Sequence, residues 1–363
     1  MPLSTKRADM IVHEREPLNA EPPRGALADS DLTPLDTFYV RSHGPIPVAD
    51  PATWRVRVDG LVERRLDLSL DELRERFEPH TVEATLQCAG NRREGLVAVR
   101  EIPGEAPWGP AATANASWEG VRLLDVLTFA GLRDDAAHVA LLGADVSLEA
   151  EPPQCFAGSI PRHKALGEEV LLAWQMNGEL LPAAHGAPLR AIVPGYIGAR
   201  SVKWLTQVTA QVQPSDGYFQ ASTYRLLPQD ADLEQVRPGD GIALGAVALN
   251  SEILIPDDGA TLVAGPMRVT GYAVAGDDRR IERVDVSLDE GGTWKQAELL
   301  DHRSAWAWRR WTIELDVPAG TRQIVARAWD SSAATQPENP AHLWNPKGYV
   351  NNAWARTGVS VRP

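Results

Sequence analysis

The 363-residue sequence has only two cysteines, Cys88 and Cys155. That number excludes a disulfide scaffold, and no CxxC or Cys/His spacing supplies the ligands of a structural zinc or an iron–sulfur cluster. Such sparing use of cysteine fits a reducing compartment. Positive charge is scarce as well: 36 Lys and Arg stand against 49 Asp and Glu, a formal net charge of −13. Without a basic field to replace counterions around phosphates, nucleic acid is not an expected partner, and an anionic ligand must be caught by a local basic pocket. No apolar run approaches the about 20 residues of a membrane-spanning helix. The opening MPLSTKRADMIVHEREPLNAEPP carries neither the apolar core of a signal peptide nor a twin-arginine pair. The expectation is a soluble, cytoplasmic protein. Internal repeats and low-complexity tracts are absent too.

At 44% hydrophobic residues, the chain is long enough for two domains with substantial cores. Residues near 10 to 50 are rich in proline and glycine and read as an extended arm ending in FYVRSHGPIP, with Arg41 and His43 on a loop. Trp54, Val56 and Val58 alternate with Arg55 and Arg57, the period of a strand with one apolar face. Ser69 and Glu72 form a capping box that starts a helix of about two turns through Phe77. The run WEGVRLLDVLTFAGL, Trp118 to Leu132, reads as an amphipathic helix stopped by Gly131. A loop around Asp145 follows, then a segment from Gly158 to Leu205 that reads as short strands joined by functional loops.

The chain is organised around TLQCAGNRREG. HTVEATLQ reads as a strand that delivers Cys88 to a tight turn, where Gly90 and Asn91 tolerate left-handed backbone. Arg92 and Arg93 follow at once. Cations beside a thiol lower its pKa, and only the thiolate binds a soft metal or attacks an electrophile. A lone cysteine is more often a small buried hydrophobe, so the wider sequence has to decide.

From about residue 244 the texture changes to short alternating strands. Val284, Val286 and Leu288 alternate with Asp285 and Ser287 before the turn DEGG, and Trp311, Ile313, Leu315 and Val317 alternate before PAG. This spacing suggests an antiparallel β-sandwich. The tail WNPKGYVNNAW carries Lys347 among bulky aromatics.

From IVHEREPLNAEPP through YVRSHGPIP, LQCAGNRR, LPAAHGAPLRAIVPGYIGARSVKWL and WNPKGYVNNAW, the chain resembles the molybdenum-dependent sulfite oxidase family. Its opening looks most like the plant-type and bacterial members without haem, and no HPGG-like haem segment precedes the matching part. The resemblance implies an α+β molybdopterin domain, residues 1–243, followed by an immunoglobulin-like domain, 244–363, that makes a homodimer. It also implies Mo-molybdopterin as cofactor, with Cys88 as the protein's ligand to the metal. By the same alignment Tyr39, Val40, Arg41, Ser42, His43, Asp145, His185, Arg190, Ser201, Val202 and Lys203 contact the cofactor. Arg190 and Lys203 are the physically sensible phosphate binders, one a planar fork and one a point charge. Arg41, Arg93 and Lys347 align with the cations of an oxyanion pocket, Tyr224 with its phenol and Trp108 with a wall, while Arg92 is structural. The implied reaction is oxidation of sulfite to sulfate, with oxygen or an external cytochrome as electron acceptor.

One position departs from that pattern. Lys347 stands where sulfite-oxidising members usually carry arginine, keeping the charge but losing the bidentate fork. Reduction of nitrate or of an S-oxide within the family is therefore the second reading. Outside it stand a cysteine hydrolase pairing Cys88 with His185 or His43, and an adhesion module built on the sandwich.

Overall fold

Alternation of buried and exposed residues builds the first sheet. In the strand Arg55–Gly60, Val56 and Val58 are fully buried while Arg55 and Arg57 face solvent. This strand pairs antiparallel with Leu66–Ser69 and parallel with Leu205–Gln211, which continues to His138–Ser147 and Gln154–Pro161. A second sheet runs Glu179–Leu180, Leu171–Met176, Thr113–Arg122, Pro79–Gln87, with Arg190–Ile192 also paired to Leu171–Met176. The structure is a computed structural model describing residues 5–363, so the first four residues of the opening segment lie outside it.

Helices Leu70–Arg76 and Leu123–Ala130 contribute Leu73, Leu123, Val126 and Leu127 to one apolar cluster with Val56, Val58, Val139, Leu141 and Val208. Each such side chain contributes about 1.5–3 kcal/mol on burial. The Ser69 cap is as expected: its side chain accepts from Glu72 N–H at 3.1 Å, and Ser69 N–H donates to the Glu72 carboxylate at 2.9 Å. Gly131 ends the second helix at φ 73°.

Two expectations are corrected here. Trp118–Arg122 is the end of the long strand Thr113–Arg122, not helix, because these residues are clamped between Pro79–Gln87 and Leu171–Met176. A side chain at Gly120 would strike the Leu172 carbonyl at 2.0 Å, so strand packing outweighs the local helical period. Asp145 likewise lies within the strand His138–Ser147, at an irregularity between Leu142 and Val146 that interrupts the pairing with Gln154–Pro161.

The second part of the chain is two facing sheets. One is ordered Asn250–Ile255, Gly265–Val274, Arg309–Val317, Glu298–Leu299; the other is Ala260–Val263, Ala355–Arg362, Gln323–Asp330, Ile281–Ser287, Lys295–Gln296. Ile253, Val269, Trp311 and Leu315 from the first meet Val284, Val286, Ile324 and Ala326 from the second. The sandwich is not wholly antiparallel, since Ala260–Val263 pairs parallel with Ala355–Arg362. Nor is the polar face of Ile281–Ser287 solvated: Asp285 is fully buried, 2.6 Å from Arg283 Nε and within 3.4 Å of Arg327 and the Trp329 indole. Buried charge survives there because it is paired.

The two parts interlock. Trp308 N–H donates to Thr85 Oγ1 at 2.8 Å and Thr85 N–H to Trp306 O at 3.0 Å. The tail returns to the first part, where Trp344 packs on Leu96 and Ile102 and its indole donates to Arg100 O at 2.8 Å. No helix among the described residues is long and apolar enough to cross a membrane.

Candidate active site

Cys88 follows directly on the strand Pro79–Gln87, and its N–H is held by Ala112 O at 2.9 Å. The next turn brings Gly90 N–H to 3.4 Å from Cys88 Sγ and Asn91 N–H to 3.0 Å from Cys88 O. The left-handed residue of this turn is Arg92, φ 64°, rather than Gly90 or Asn91. Glycine is needed at 90 for space, because a Cβ there would sit 2.7 Å from the Arg93 guanidinium. A long side chain in left-handed backbone is strained unless its surroundings fix it. Arg92 is fixed by Asn250 Oδ1 at 2.9 Å, Ala353 O at 2.7 Å, Trp354 O at 3.0 Å and Glu252 at 3.3 Å. Its role is structural, as expected, and it clamps the Cys88 turn to the sandwich.

The cations acting on the Cys88 thiol are Arg41 and Arg93, not the adjacent pair Arg92 and Arg93. Burial pushes the thiol up, and the pull of the two guanidiniums does not overcome it. The lowered pKa expected from sequence is thus corrected: in a buried site desolvation exceeds the nearby charge.

Cys88 opens into a cavity lined by Tyr39, Arg41, Ser42, His43, Asp145, His185, Arg190, Ser201, Lys203 and Tyr224 among others. Five separate stretches of sequence converge there. The segment Tyr39–His43 is pinned to the N-terminal hairpin: Val40 exchanges two backbone hydrogen bonds with Ala20, at 2.8 and 3.0 Å, and Asn19 Oδ1 accepts from Ser42 N–H at 2.8 Å. His185 ends the short turn Ala183–His185, Arg190 begins the strand Arg190–Ile192, and Ser201–Lys203 follow the turn Gly198–Arg200. Tyr224 follows a single π-helical turn, Phe219–Thr223, a distortion frequent at functional sites.

One end of the cavity is cationic. Arg190 donates to His185 O at 2.8 Å and Ser201 O at 3.0 Å, and Lys203 donates to Ser42 Oγ at 2.9 Å and Ala184 O at 3.0 Å. Lys6, absent from the sequence-derived set, reaches Leu35 O at 2.5 Å, Phe38 O at 2.8 Å and His185 Nε2 at 2.8 Å. Burial lowers Lys6 to about 7 and Arg190 to about 10, lowers Lys203 and His185, and raises Asp145. Asp145 Oδ1 is buried without a hydrogen-bond partner. Buried cations bonded to neutral oxygens, beside a carboxylate oxygen with nothing to accept from, fit a ligand that is anionic at one end and rich in N–H groups. A pterin phosphate has that chemistry.

The other end holds Tyr224, His43 and Arg41. Tyr224 Oη lies 2.6 Å from His43 Nε2, and its ring stacks on Tyr349 at 5.5 Å. Burial raises the Tyr224 phenol well above its ordinary value, and burial followed by the Arg41 charge lowers His43 to about 4. The second histidine, His185, turns its Nε2 to Lys6, so neither imidazole engages Cys88 and the cysteine hydrolase dyad is not formed.

Four expected residues stand outside the lining. Val202 packs in the main apolar core. Trp108 lies in the apolar cluster that includes Cys88, in an edge-on contact with His13 at 4.7 Å between ring centroids. Arg93 is held by Ala106 O at 2.8 Å and by Glu105 at 3.2 Å, and Lys347 is 3.5 Å from the same Glu105. Sequence reading missed Lys6, Glu105 and Glu149, the last 2.7 Å from His43. Lone charged residues in arm and loop segments carry no local signal of a partner far along the chain. Among the described residues no His, Cys, Asp and Glu cluster forms a multi-ligand metal site.

Comparison with known proteins agrees. Residues 43–219 match the oxidoreductase molybdopterin binding domain, and residues 243–362 match the Mo-co oxidoreductase dimerisation domain. The chain is 42% identical to the sulfite oxidase of Gallus gallus, over 95% of this chain and 76% of that protein, and 38% identical to the sulfite oxidase of Arabidopsis thaliana, over 97% and 94%. It spans 66% of the length of the mitochondrial sulfite oxidase of Rattus norvegicus. The crystal structure of the sulfane dehydrogenase SoxCD from Paracoccus pantotrophus superposes with a TM-score of 0.78 at 26% identity, covering 94% of this chain and 84% of that one. With the thiol, the anion-binding end and both domain matches in place, the chain belongs to the sulfite oxidase family and is a molybdenum-dependent oxidoreductase that works through molybdopterin.

Proposed function

We propose that the protein oxidises sulfite to sulfate at a molybdenum held by Cys88. The observation that carries this reading is the position of one buried thiol between a cationic end suited to a phosphate and a phenol–imidazole–guanidinium end suited to a small oxyanion. The cofactor, when bound, supplies oxygen-atom transfer and takes up the substrate's electron pair.

The protein's own residues bind, orient and neutralise. Cys88 Sγ is the soft donor, and the Gly90 N–H at 3.4 Å disperses its charge. Arg190, Lys203 and His185 face the phosphate, with Lys6 behind His185. Asp145 accepts from the pterin edge, and Tyr39, Val40, Ser42 and Ser201 shape its bed. Arg41 meets the oxyanion inside the cavity, while Arg93 and Lys347 add positive potential from behind its wall, tempered by Glu105. Tyr224 is a neutral donor toward substrate or His43. Fixing an oxyanion by several directed donors converts loose encounter into a near-attack arrangement. The electron acceptor is oxygen or an external cytochrome, and the domain after residue 243 joins two copies.

Steady-state assays of the molybdenum-loaded protein test this, with sulfite as donor and with oxygen, cytochrome c or ferricyanide as acceptor in parallel. Molybdenum-dependent sulfate formation supports the reading. Failure with every acceptor, together with turnover of nitrate or an S-oxide by the reduced protein, favours the reductase reading; the shared Glu105 counter-charge on Lys347 and Arg93 is the observation on its side.

A further inference from the structure

Tyr224 is held in place by little of its own backbone. It leaves the π-helical turn Phe219–Thr223 at φ −85° and ψ 64°, its N–H lies 3.4 Å from Phe219 O, and its shorter backbone hydrogen bond runs from Leu244 N–H to Tyr224 O at 2.9 Å. Beyond it, Arg225–Leu226 pairs with Ile242–Ala243 in a partly exposed ribbon of two residues a side. A ribbon that short is not stable by itself.

What fixes its inner end is Arg200. This side chain is buried, and both Nε and Nη2 donate to Leu244 O, at 3.1 and 2.7 Å. The turn Gly198–Arg200 takes a second hold on the same segment, since Ile197 N–H, just before it, donates to Gly245 O at 2.9 Å. On its other side the guanidinium packs against Gly158, where a Cβ would sit 2.9 Å from Nη1. The neighbouring Ser159 N–H donates to Gln220 Oε1 at 3.2 Å, so the start of the π-helical turn is pinned to the same strand, Gln154–Pro161. Arg200 stands between the supports of both ends of that turn. From this geometry we infer that Arg200 is a positioning residue for Tyr224, acting through the Leu244 carbonyl.

The electrostatics are those of a tie rather than of an ion pair. Burial lowers Arg200 to about 10, so it stays charged at neutral pH, yet among the described residues it has no carboxylate partner and its Nη1 has no hydrogen-bond partner. A buried charge without a counter-ion is costly. An apolar side chain would fill the space at less cost, but hydrogen bonds from a cation are roughly twice as strong as neutral ones, and here both fall on the carbonyl of the residue that holds Tyr224. The same turn leads into Ser201 and Lys203, so one short segment supports both ends of the cavity. The kinetic consequence rests on the sulfite reading, in which Tyr224 is a donor toward substrate. Misplacing such a group by about 1 Å can cost about a hundredfold in rate.

Two measurements on the cofactor-loaded full chain test this. A 3-fluorotyrosine placed at position 224 reports the ring's surroundings by fluorine NMR without turnover: Arg200→Met should shift and broaden its resonance, and Arg200→Lys, which keeps a cation near the carbonyl, should fall between that variant and the parent. An unmoved resonance in folded Arg200→Met overturns the inference. In the second, kcat/KM for sulfite should fall about tenfold to a hundredfold in Arg200→Met, but less than about twofold when the same change is made in Tyr224→Phe, where the positioned hydroxyl is already gone. Equal losses in the two backgrounds overturn it, since a residue that only fills the core acts independently of that hydroxyl. Where Arg200→Met does not fold, Arg200→Lys carries the same cycle with a smaller loss. If the parent does not oxidise sulfite, that reading fails by itself, and the fluorine resonance still decides the positioning.

Discussion

Lys347 faces a carboxylate: its Nζ lies 3.5 Å from Glu105 Oε1, while the other carboxylate oxygen is 3.2 Å from Arg93. One anion is shared by two of the three cations expected to attract substrate. Lysine cannot hold Glu105 and sulfite as a fork would, because an ammonium has no fixed pair of parallel donors. Lys347→Arg should lower KM for sulfite, Lys347→Met should raise it and weaken its salt dependence, and Glu105→Gln should lower it. The loss in Lys347→Met should be about tenfold in kcat/KM, the low end for a charge-assisted contact, since the cation is partly neutralised already. Kinetics at matched molybdenum content check this; three silent substitutions would remove Lys347 from the account.

The Lys6 ammonium gives a pH prediction. Burial depresses it to about 7 in the folded protein from about 10.5 in the unfolded chain. Between those values the unfolded state binds the extra proton, so stability rises with pH across roughly pH 7 to 10. Lys203, lowered for the same reason, acts in the same direction. In protein prepared without cofactor, the melting temperature should climb over that range, and Lys6→Met should flatten the climb. Loading the phosphate-bearing cofactor should flatten it too, because an anion restores the charged ammonium. A slope unchanged by both would contradict the anion-site assignment.

Arg92 is a test of structure rather than chemistry. Removing it leaves buried Glu252 with only Arg24, 3.5 Å away, as counter-charge among the described residues. Arg92→Leu should cost about 3 kcal/mol, the lower end for breaking a buried pair. The urea midpoint should shift accordingly, while KM for sulfite of the folded, loaded fraction stays put. A changed KM at unchanged stability would place Arg92 in the substrate pocket after all.

The proposed dimer does not rest on the aromatic residues of the sandwich. Trp308 packs at a tilt on Tyr272, ring centroids 5.0 Å apart, and Trp294 packs edge-on to Trp354 at 4.9 Å, both within one chain. Its support is the match of residues 243–362 to a dimerisation domain. Sedimentation at micromolar concentration should give twice the chain mass; a monomer would count against it.

What the sequence made legible was local chemistry and long motif runs. The capping box at Ser69, the Gly131 stop and the strand leading into Cys88 each depend on neighbours within a few residues, and each stands. The Trp118–Arg122 segment did not, because its helical period is overridden by strands on both sides. Asp145 read as loop, since a buried acid in a strand makes sense only beside a ligand-binding cavity. Glu149 meets His43 across 106 positions and Lys347 meets Glu105 across 242. Contacts of that span depend on how the arm, loops and tail converge, which no spacing rule encodes.

The central claim is that Cys88 is the protein's bond to molybdenum. X-ray absorption at the molybdenum edge, on parent protein and Cys88→Ser loaded to equal molybdenum, measures that bond directly. A hard hydroxyl is a poor substitute for a thiolate at this metal. One sulfur neighbour fewer in the variant, with sulfite oxidation nearly abolished and the pterin retained, is the predicted result. An unchanged sulfur shell with normal turnover in Cys88→Ser would contradict it.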